Sequence, residues 1–304
     1  MTPVTTVPHI DSNTVKPIYR FTTDETSDNR PDGGSGDSSY ALDETYSLDV
    51  APFMHFDAAI LDGADAANNP SDGSAVSAWG DRSGNETSMD SVQSTGTKQP
   101  TFNTGGGDPY VSFDGGDFME IANGPLVDTQ TSGLTIITMA QRDSTGHHIV
   151  GIGNDNTAGV TLVLRAWGAG VLAYMGGNTD NSFTSASQSA PAVNFTDLNM
   201  FTFTKSTGGS ITANCKWYYD GGTSSYDNSH LTGTGERPDT LTMKINRIGY
   251  GDAAAHYYMR GNLYETMAFN YELSTDDLNT VKDYLAAKWA TPLAAGSNTL
   301  GAFS

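Results

Sequence analysis

The sequence predicts an all-β fold, a sandwich of two antiparallel sheets with one helix near its C-terminus. Two observations carry this prediction. Charged residues make up only 16% of the 304 residues and 34 are glycine, which is typical of short strands joined by many turns and not of a helical bundle. In addition, short runs of alternating apolar and polar residues recur between clusters of Gly, Asp and Asn.

The clearest strand signal covers residues 211–219, where every second residue from Ile211 to Tyr219 is apolar. This period of two predicts a strand with one buried face, which Asp220-Gly221-Gly222 ends. Similar runs predict strands at residues 110–114, 118–122, 134–142, 149–153, 160–167, 171–175, 200–205, 241–248 and 259–270. Between two of these runs, Asp114-Gly115-Gly116-Asp117 predicts a tight hairpin.

One helix is predicted after residue 274. Ser274 is placed to cap its first turn, with Asp277 three residues on as the partner of a capping box. An apolar stripe with helical spacing follows, and it consists of Leu278, Val281, Leu285 and Trp289. Lys288 lies in the last turn, and Pro292 prevents the helix from continuing.

Composition divides the chain into an N-terminal arm (residues 1–50), a sandwich domain (51–292) and a C-terminal tail (293–304). The arm has few large apolar residues and a net charge of 3 − 9 = −6. Such a segment cannot bury enough apolar surface to offset its ordering entropy. We therefore expect it to become ordered only by packing on another surface, as an extended anchoring or assembly arm.

The net charge of 15 − 35 = −20 excludes the basic face that nucleic acids and anionic membranes require. Aspartate supplies 28 of the 35 acidic residues, which indicates that most of the charge lies in turns. No apolar run approaches the roughly 20 residues that span a bilayer, so no membrane insertion is expected. The first residues lack the basic and apolar segments of a signal peptide, and we expect synthesis in a host cytoplasm.

Several stretches occur together in a fixed order. They are His55-Phe56-Asp57-Ala58, residues 76–85 with Trp79-Gly80-Asp81, Gln99-Pro100, residues 109–115, Arg247-Ile248-Gly249, Gly261-Asn262-Leu263-Tyr264-Glu265, and residues 269–274 leading into a helix that ends Lys288-Trp289. This order resembles the laminin-G-like, concanavalin A-like lectin superfamily, found in bacterial surface and phage virion proteins. The resemblance covers residues 53–289 and implies a jelly roll of two curved sheets. It does not fix a function, because such domains include lectins, enzyme appendages, adhesins and structural modules.

A glycoside hydrolase on this fold would need two carboxylates facing the scissile bond, roughly 5–9 Å apart. The sequence has no strand with alternating Glu and Asp. Glu265 lies in a strand whose same-parity neighbours are Leu263, Met267 and Phe269, so no inward acidic partner is expected. A buried carboxylate needs partners, and we predict that Glu265 is a structural lock bonded to Arg247 or to backbone amides. We expect a non-enzymatic protein.

The loop from Asp57 to Asp81 is rich in the oxygen ligands that Ca²⁺ prefers. Asp57 and Asp81 match recurrent acidic positions of the resembled family, and they are the candidate calcium ligands. A second such loop covers residues 151–156. The alternative is that these side chains cap turns through their own hydrogen bonds.

Sugar binding would use aromatic rings that stack on pyranose faces. Tyr257 and Tyr258 form a candidate platform near a strand end, and Trp167 is a third candidate. In the alternative interpretation these rings belong to the core or to its rim.

Three functions remain open. The first is a non-catalytic virion structural protein, a capsid- or tail-attached decoration or fibre component. It would bind other virion proteins through residues 1–50 within a symmetric assembly, and would display the sandwich for attachment to host glycans. The second is a soluble carbohydrate-binding adhesin module, located outside the cell or on its surface. The third, a glycoside hydrolase, is disfavoured by the missing carboxylate pair.

Overall fold

A computed structural model of the chain describes residues 52–84, 89–104, 107–121, 124, 126–128, 132–142, 152–153, 160–167, 170–176, 183–189, 197–207, 215–219, 226–227, 242–249 and 258–289. The predicted arm (residues 1–50) and tail (residues 293–304) lie outside the described residues. Among those residues, no helix is long and apolar enough to cross a membrane.

The described elements are eighteen strands, one α-helix and two 3₁₀ helices of three residues each, Ala66–Asn68 and Gly96–Lys98. The strands and the α-helix are numbered below. In chain order they are β1 (Met54–Asp57), β2 (Ala78–Trp79), β3 (Ser91–Val92), β4 (Thr101–Asn103), β5 (Tyr110–Asp114), β6 (Met119–Ile121), β7 (Leu126–Asp128), β8 (Leu134–Arg142), β9 (Ile152–Gly153), β10 (Val160–Trp167), β11 (Gly170–Gly176), β12 (Phe183–Ser189), β13 (Asn199–Lys205), β14 (Cys215–Tyr219), β15 (Tyr226–Asp227), β16 (Thr242–Lys244), β17 (Arg247–Ile248), β18 (Arg260–Phe269) and α1 (Thr275–Lys288).

The strands form one sheet of eight and two sheets of five. The large sheet has the order β15-β14-β13-β8-β18-β5-β4, with β1 also paired to β18. The smaller sheets have the orders β12-β11-β10-β16-β7 and β2-β3-β6-β17-β9. The predicted all-β sandwich is confirmed. One pairing departs from the antiparallel prediction, because β10 and β16 run parallel.

The main core lies between the large sheet and the β2-β3-β6-β17-β9 sheet. Phe56, Phe113 and Phe203 from the large sheet meet Trp79 and Met119 from the smaller one, and all five are fully or almost fully buried. The rings of Phe56 and Trp79 make an edge-to-face contact, with their centroids 5.6 Å apart. These large buried side chains supply most of the driving force for closing the two layers.

The helix α1 covers the other face of the large sheet, as its apolar stripe predicts. Leu278, Val281, Leu285 and Trp289 are all buried in a second core with residues of β8 and β18. The predicted cap is also present. The Ser274 hydroxyl accepts a hydrogen bond from the Asp277 amide at 3.1 Å and donates one to the Asp277 carboxylate at 2.6 Å.

The turn at residues 114–117 connects two layers of the sandwich, so the predicted hairpin is wrong. Strand β5 belongs to the large sheet, whereas β6 pairs with β3 and β17 in the smaller one. The turn is stabilised by its own carboxylates, since Gly116 N–H donates to Asp114 at 2.7 Å and Asp114 N–H donates to Asp117 at 3.0 Å. Residues 241–248 likewise divide into β16 and β17, which lie in different sheets.

A bulge in β18 determines which side chains face the helix. Leu263 lies opposite Ala140 of β8 and Glu265 lies opposite Met139, so Tyr264 is the extra residue. Leu263 therefore faces the main core, whereas Tyr264 and Glu265 both face α1. Bulges commonly redirect side chains in this way.

Candidate functional site

Strands β1 and β18 bring two buried carboxylates together. In their antiparallel register Asp57 lies opposite Glu265, and both residues are 0% exposed. The expectation that Glu265 has no inward acidic partner is therefore wrong. The partner comes from the first described strand, far away in sequence.

Glu265 accepts hydrogen bonds at both of its carboxylate oxygens. His55 Nε2 lies 2.7 Å from Oε1, while Trp289 Nε1–H donates to Oε2 at 2.8 Å. The Lys288 ammonium is 3.0 Å from Oε2. Glu265 is therefore buried and bonded to protein donors, as predicted for a structural role. The prediction that Arg247 is one of its partners is wrong, because Arg247 pairs with Glu120 at 3.0 Å.

Asp57 is equally well bonded. Its Oδ1 accepts the Ala59 N–H at 2.9 Å, and its Oδ2 contacts both the Lys288 ammonium, at 2.5 Å, and the Arg82 guanidinium. Two carboxylates, one ammonium and one guanidinium sum to zero charge when His55 is neutral. We call Asp57, Glu265, Lys288, Arg82 and His55 the buried charge cluster.

The charges of this cluster hold one another in the ionised state. Burial by itself would raise the pKa of Glu265, but Lys288 and His55 outweigh it and lower that pKa to about 2. Burial would likewise lower the pKa of Lys288, but Glu265 and Asp57 raise it above its ordinary value. Opposite charges close together in a dry interior produce these directions.

Neither metal binding nor hydrolysis fits the cluster. Ligand atoms of His55, Asp57 and Glu265 lie within 4.8 Å of one another, the one such group among the residues that the structure describes. However, Lys288 and Arg82 already contact these carboxylates, and their positive charges would repel a metal ion. The two acids face each other, but both are fully buried, so a sugar cannot reach them in this conformation. The arrangement favours a structural role.

Sequence reasoning missed Lys288, His55 and Arg82 as members of the cluster. A signal was present for Lys288, since a buried glutamate requires a cation and Lys288 adjoins the buried Trp289 at the end of α1. No comparable signal marked His55 and Arg82. The positions of His55 and Arg82 in the cluster depend on the contact between β1 and the loop that follows β2. In this contact the backbone N–H of Arg82 donates to the His55 carbonyl at 2.8 Å.

Asp81, the second candidate calcium ligand, fastens this same loop. Its Oδ1 accepts the backbone N–H of His55 at 2.8 Å and that of Ser83 at 3.0 Å, and its Oδ2 accepts the Ser83 hydroxyl at 2.6 Å. These bonds are those of a turn-capping aspartate. The calcium site at Asp57 and Asp81 stays a prediction, and the contacts of Lys288 and Arg82 with Asp57 count against it. Of the second predicted loop, only residues 152–153 are described.

Of the three predicted sugar-stacking residues, the structure describes the side chain of one. Tyr257 lies outside the described residues, and so does the side chain of Trp167, the last residue of β10. Tyr258 is half-buried, and its ring centroid is 6.3 Å from that of Phe118, just before β6.

Two charged side chains lie against the ring of Phe118, which is itself buried. The Lys98 ammonium lies 5.2 Å from the centre of the Phe118 ring, and the Arg247 guanidinium lies 5.1 Å from it. Arg247 also pairs with Glu120, whose side chain is 52% exposed. We call Tyr258, Phe118, Lys98, Arg247 and Glu120 the Tyr258 surface. It combines the partly exposed ring of Tyr258 with hydrogen-bond donors and an acceptor.

No known family model matches the chain, and no curated protein matches its sequence. Solved structures resemble parts of it distantly. CBM40 of the Ruminococcus gnavus IT-sialidase, bound to α2,3-sialyllactose, is 17% identical over 57% of this chain and 95% of that one, with a TM-score of 0.38. Domain 4 of AbnA, a GH43 extracellular arabinanase from Geobacillus stearothermophilus in complex with arabinotriose, is 14% identical over 76% and 97%, with a TM-score of 0.45. The binding domain of Paraclostridial Mosquitocidal Protein 1 is 13% identical over 70% and 51%, with a TM-score of 0.46. At these identities and TM-scores the likenesses assign no function to this chain.

Proposed function

We propose that this chain is a non-catalytic carbohydrate-binding module and that the Tyr258 surface is its binding site. The observation that carries the proposal is the half-buried Tyr258 ring, which packs beside Phe118, and the ring of Phe118 is in turn contacted by Lys98 and Arg247. Protein sites for sugars combine an aromatic face, which contacts the apolar side of a pyranose, with a few polar groups that orient its hydroxyls.

The polar groups of this surface suit sugar hydroxyls. Lys98 and Arg247 offer N–H donors, and the exposed Glu120 carboxylate offers acceptors. The surface requires little reorganisation before binding, because the ion pair of Arg247 with Glu120 already positions both side chains. Preorganisation of this kind lowers the entropic cost of binding.

The buried charge cluster supports the non-catalytic part of the proposal. Its two carboxylates face each other as a hydrolase pair would, yet each is bonded to protein donors and sealed from solvent. A retaining or inverting glycosidase requires its two acids to flank the bond that breaks.

We expect Tyr258→Ala to weaken glycan binding by about tenfold or more, because it removes the stacking ring and leaves the sheets intact. The measurement is binding of the purified chain to a glycan array, followed by titration of each glycan that it retains. Thermal unfolding of the variant confirms that the fold survives.

The matched control is Tyr271→Ala, which removes another half-buried tyrosine from the opposite, helix-covered side of the large sheet. It should leave glycan affinity unchanged. Equal affinity of Tyr258→Ala and the unmodified chain would place the binding site elsewhere. Retention of no glycan at all would contradict the proposed function.

Display on a virus particle is the second candidate, and the composition of residues 1–50 favours it. An acidic, turn-rich segment of that length is suited to becoming ordered on a partner surface. Virion proteins would then be its partners, and the sandwich would face outward in a symmetric assembly. As a soluble adhesin module, the protein would instead act outside the cell or on its surface.

Deletion of residues 1–50 distinguishes display on a virus particle from a role as a soluble adhesin module. We expect the shortened chain to keep its unfolding temperature and its glycan binding, because the described cores are formed by later residues. If the arm anchors the protein, only co-sedimentation with particles is lost. Unfolding of the shortened chain would show that the arm belongs to the core.

A further inference from the structure

One of the short contacts in the buried charge cluster joins an amine to a carboxyl group. Lys288 Nζ lies 2.5 Å from Asp57 Oδ2, and the Glu265 carboxylate lies 3.0 Å from the same nitrogen. Both acid side chains are 0% exposed, and that of Lys288 is 14% exposed. We propose that Lys288 and Asp57 condense spontaneously to an intramolecular isopeptide bond, with Glu265 as the catalytic residue.

The reaction balances without any added reagent. A proton first moves from the Lys288 ammonium to Asp57 Oδ2, which gives an amine and a carboxylic acid with no change in total charge. The amine lone pair then attacks Asp57 Cγ and forms the new C–N bond. Glu265 takes a proton from that nitrogen and returns it to the Oδ2 hydroxyl, which leaves as water when its bond to Cγ breaks. The products are one amide and one water molecule.

The groups around Asp57 match the needs of this step. The Ala59 N–H donates to Oδ1 at 2.9 Å, so it stabilises the negative charge that this oxygen gains during attack. The Arg82 guanidinium contacts Oδ2 and adds a positive field beside the reacting carbon. Glu265 is held by His55 and Trp289, which fix it within reach of Nζ.

The interior also favours the product. Before reaction the cluster holds two cations and two anions away from water, an arrangement whose desolvation is costly. Condensation removes one buried ion pair and leaves the Glu265 carboxylate and the Arg82 guanidinium as the remaining charges, so the total charge stays at zero. Aromatic rings cover the site, since the Lys288 ammonium lies 5.0 Å from the centre of the Trp289 ring and 5.7 Å from that of Tyr284. They limit the access of water that would reverse the reaction.

The linkage would have a mechanical consequence. Residues 57 and 288 are 231 positions apart, and they join the first described strand to the last helix. A covalent bond between them closes almost the whole sandwich into one loop. A force that pulls on the two ends of the domain would then pass through the bond and leave the sheets folded.

The test is the mass of the denatured, full-length chain with its native sequence. We expect a mass lower than the sequence mass by one water molecule. We also expect trypsin to leave Lys288 uncut and to yield a branched peptide that joins residues 283–304 to residues 21–82. The branched peptide matters because an Asp-Gly pair such as Asp114-Gly115 also loses water when it cyclises. The full sequence mass with normal cleavage after Lys288, or water loss confined to Asp-Gly pairs, would overturn the proposal.

Two variants and a control test the roles of the residues. Lys288→Arg keeps the charge but cannot form the amide, and it should have the full sequence mass. Glu265→Gln keeps both linked residues, and it should lose most of the branched peptide if Glu265 carries the proton. Lys282→Arg changes the other buried lysine of α1 and should leave the branched peptide intact. Branched peptide at the native level in Glu265→Gln would refute the role of Glu265.

Discussion

Replacing Trp289 by alanine is expected to lower the free energy of unfolding by about 3–5 kcal/mol, as is usual when a buried aromatic ring is truncated. Trp289 is 1% exposed, follows the last residue of α1 and packs in the core between this helix and the large sheet. Its ring meets that of Tyr264 edge to face, with centroids 5.4 Å apart. The loss is a large part of the roughly 5–15 kcal/mol by which domains are usually stable.

The indole N–H adds a polar component to this loss. It donates to Glu265 Oε2 at 2.8 Å, so truncation leaves a buried carboxylate with one donor fewer. Trp289→Phe, which keeps most of the ring but not the N–H, should therefore fall between the native chain and Trp289→Ala. Urea unfolding of the three chains measures the order. Val92→Ala, at a 46% exposed position, is the surface control and should change stability by less than about 0.5 kcal/mol. A Trp289→Ala loss no larger than that of the control would mean that α1 does not stabilise the sandwich.

Lys288→Met is the second large expected effect, with a loss of about 3–5 kcal/mol at neutral pH, the usual result of removing one partner from a buried ion pair. Methionine fills much of the lysine volume, so the loss comes from the charge. Asp57 keeps Arg82 and Glu265 keeps His55, but the ammonium that both carboxylates contact is gone. Lys98→Met removes a surface lysine and is the matched control. A loss equal to that of the control would contradict the assigned role of Lys288.

The pH dependence of the Lys288→Met effect distinguishes the ion pair from the amide. In the ion pair, the pKa of Glu265 in the folded state is about 2, below its ordinary value of 4.5. Its stabilisation is therefore complete above pH 4.5 and is lost as the pH falls towards 2. In that case the stability gap between the native chain and Lys288→Met narrows in acid. A covalent link does not titrate, so in the linked chain the loss from breaking that link persists in acid.

The fold could be predicted from the sequence because its signals are local. The capping box at Ser274 and the stripe from Leu278 to Trp289 act within one helix, and the alternation in strands such as β5 and β8 acts within one strand. The turn at residues 114–117 shows the limit of such signals. Its glycines favour a tight turn both within one sheet and between two sheets, and only the pairing partners of β5 and β6 distinguish these cases.

The buried charge cluster could be predicted only in part, because its contacts are distant in sequence. Burial of Glu265 follows from its apolar strand, but its acidic neighbour is set by the register of β1 with β18. The bulge at Tyr264 also means that alternate residues on either side of it do not share a face. It places Leu263 on the face opposite Met267, although their spacing predicts the same face. A single sequence does not reveal such a bulge.

A double-mutant cycle between Asp57 and Lys288 tests most directly whether the buried acids fasten the first strand to the last helix. The four chains are the native protein, Asp57→Ala, Lys288→Met and the double variant, each unfolded in urea. We predict that the double variant loses less free energy of unfolding than the two single variants lose in sum. The difference should be at least about 1 kcal/mol, as for residues that interact directly. Losses that add to within about 0.5 kcal/mol, as for independent sites, would contradict the account.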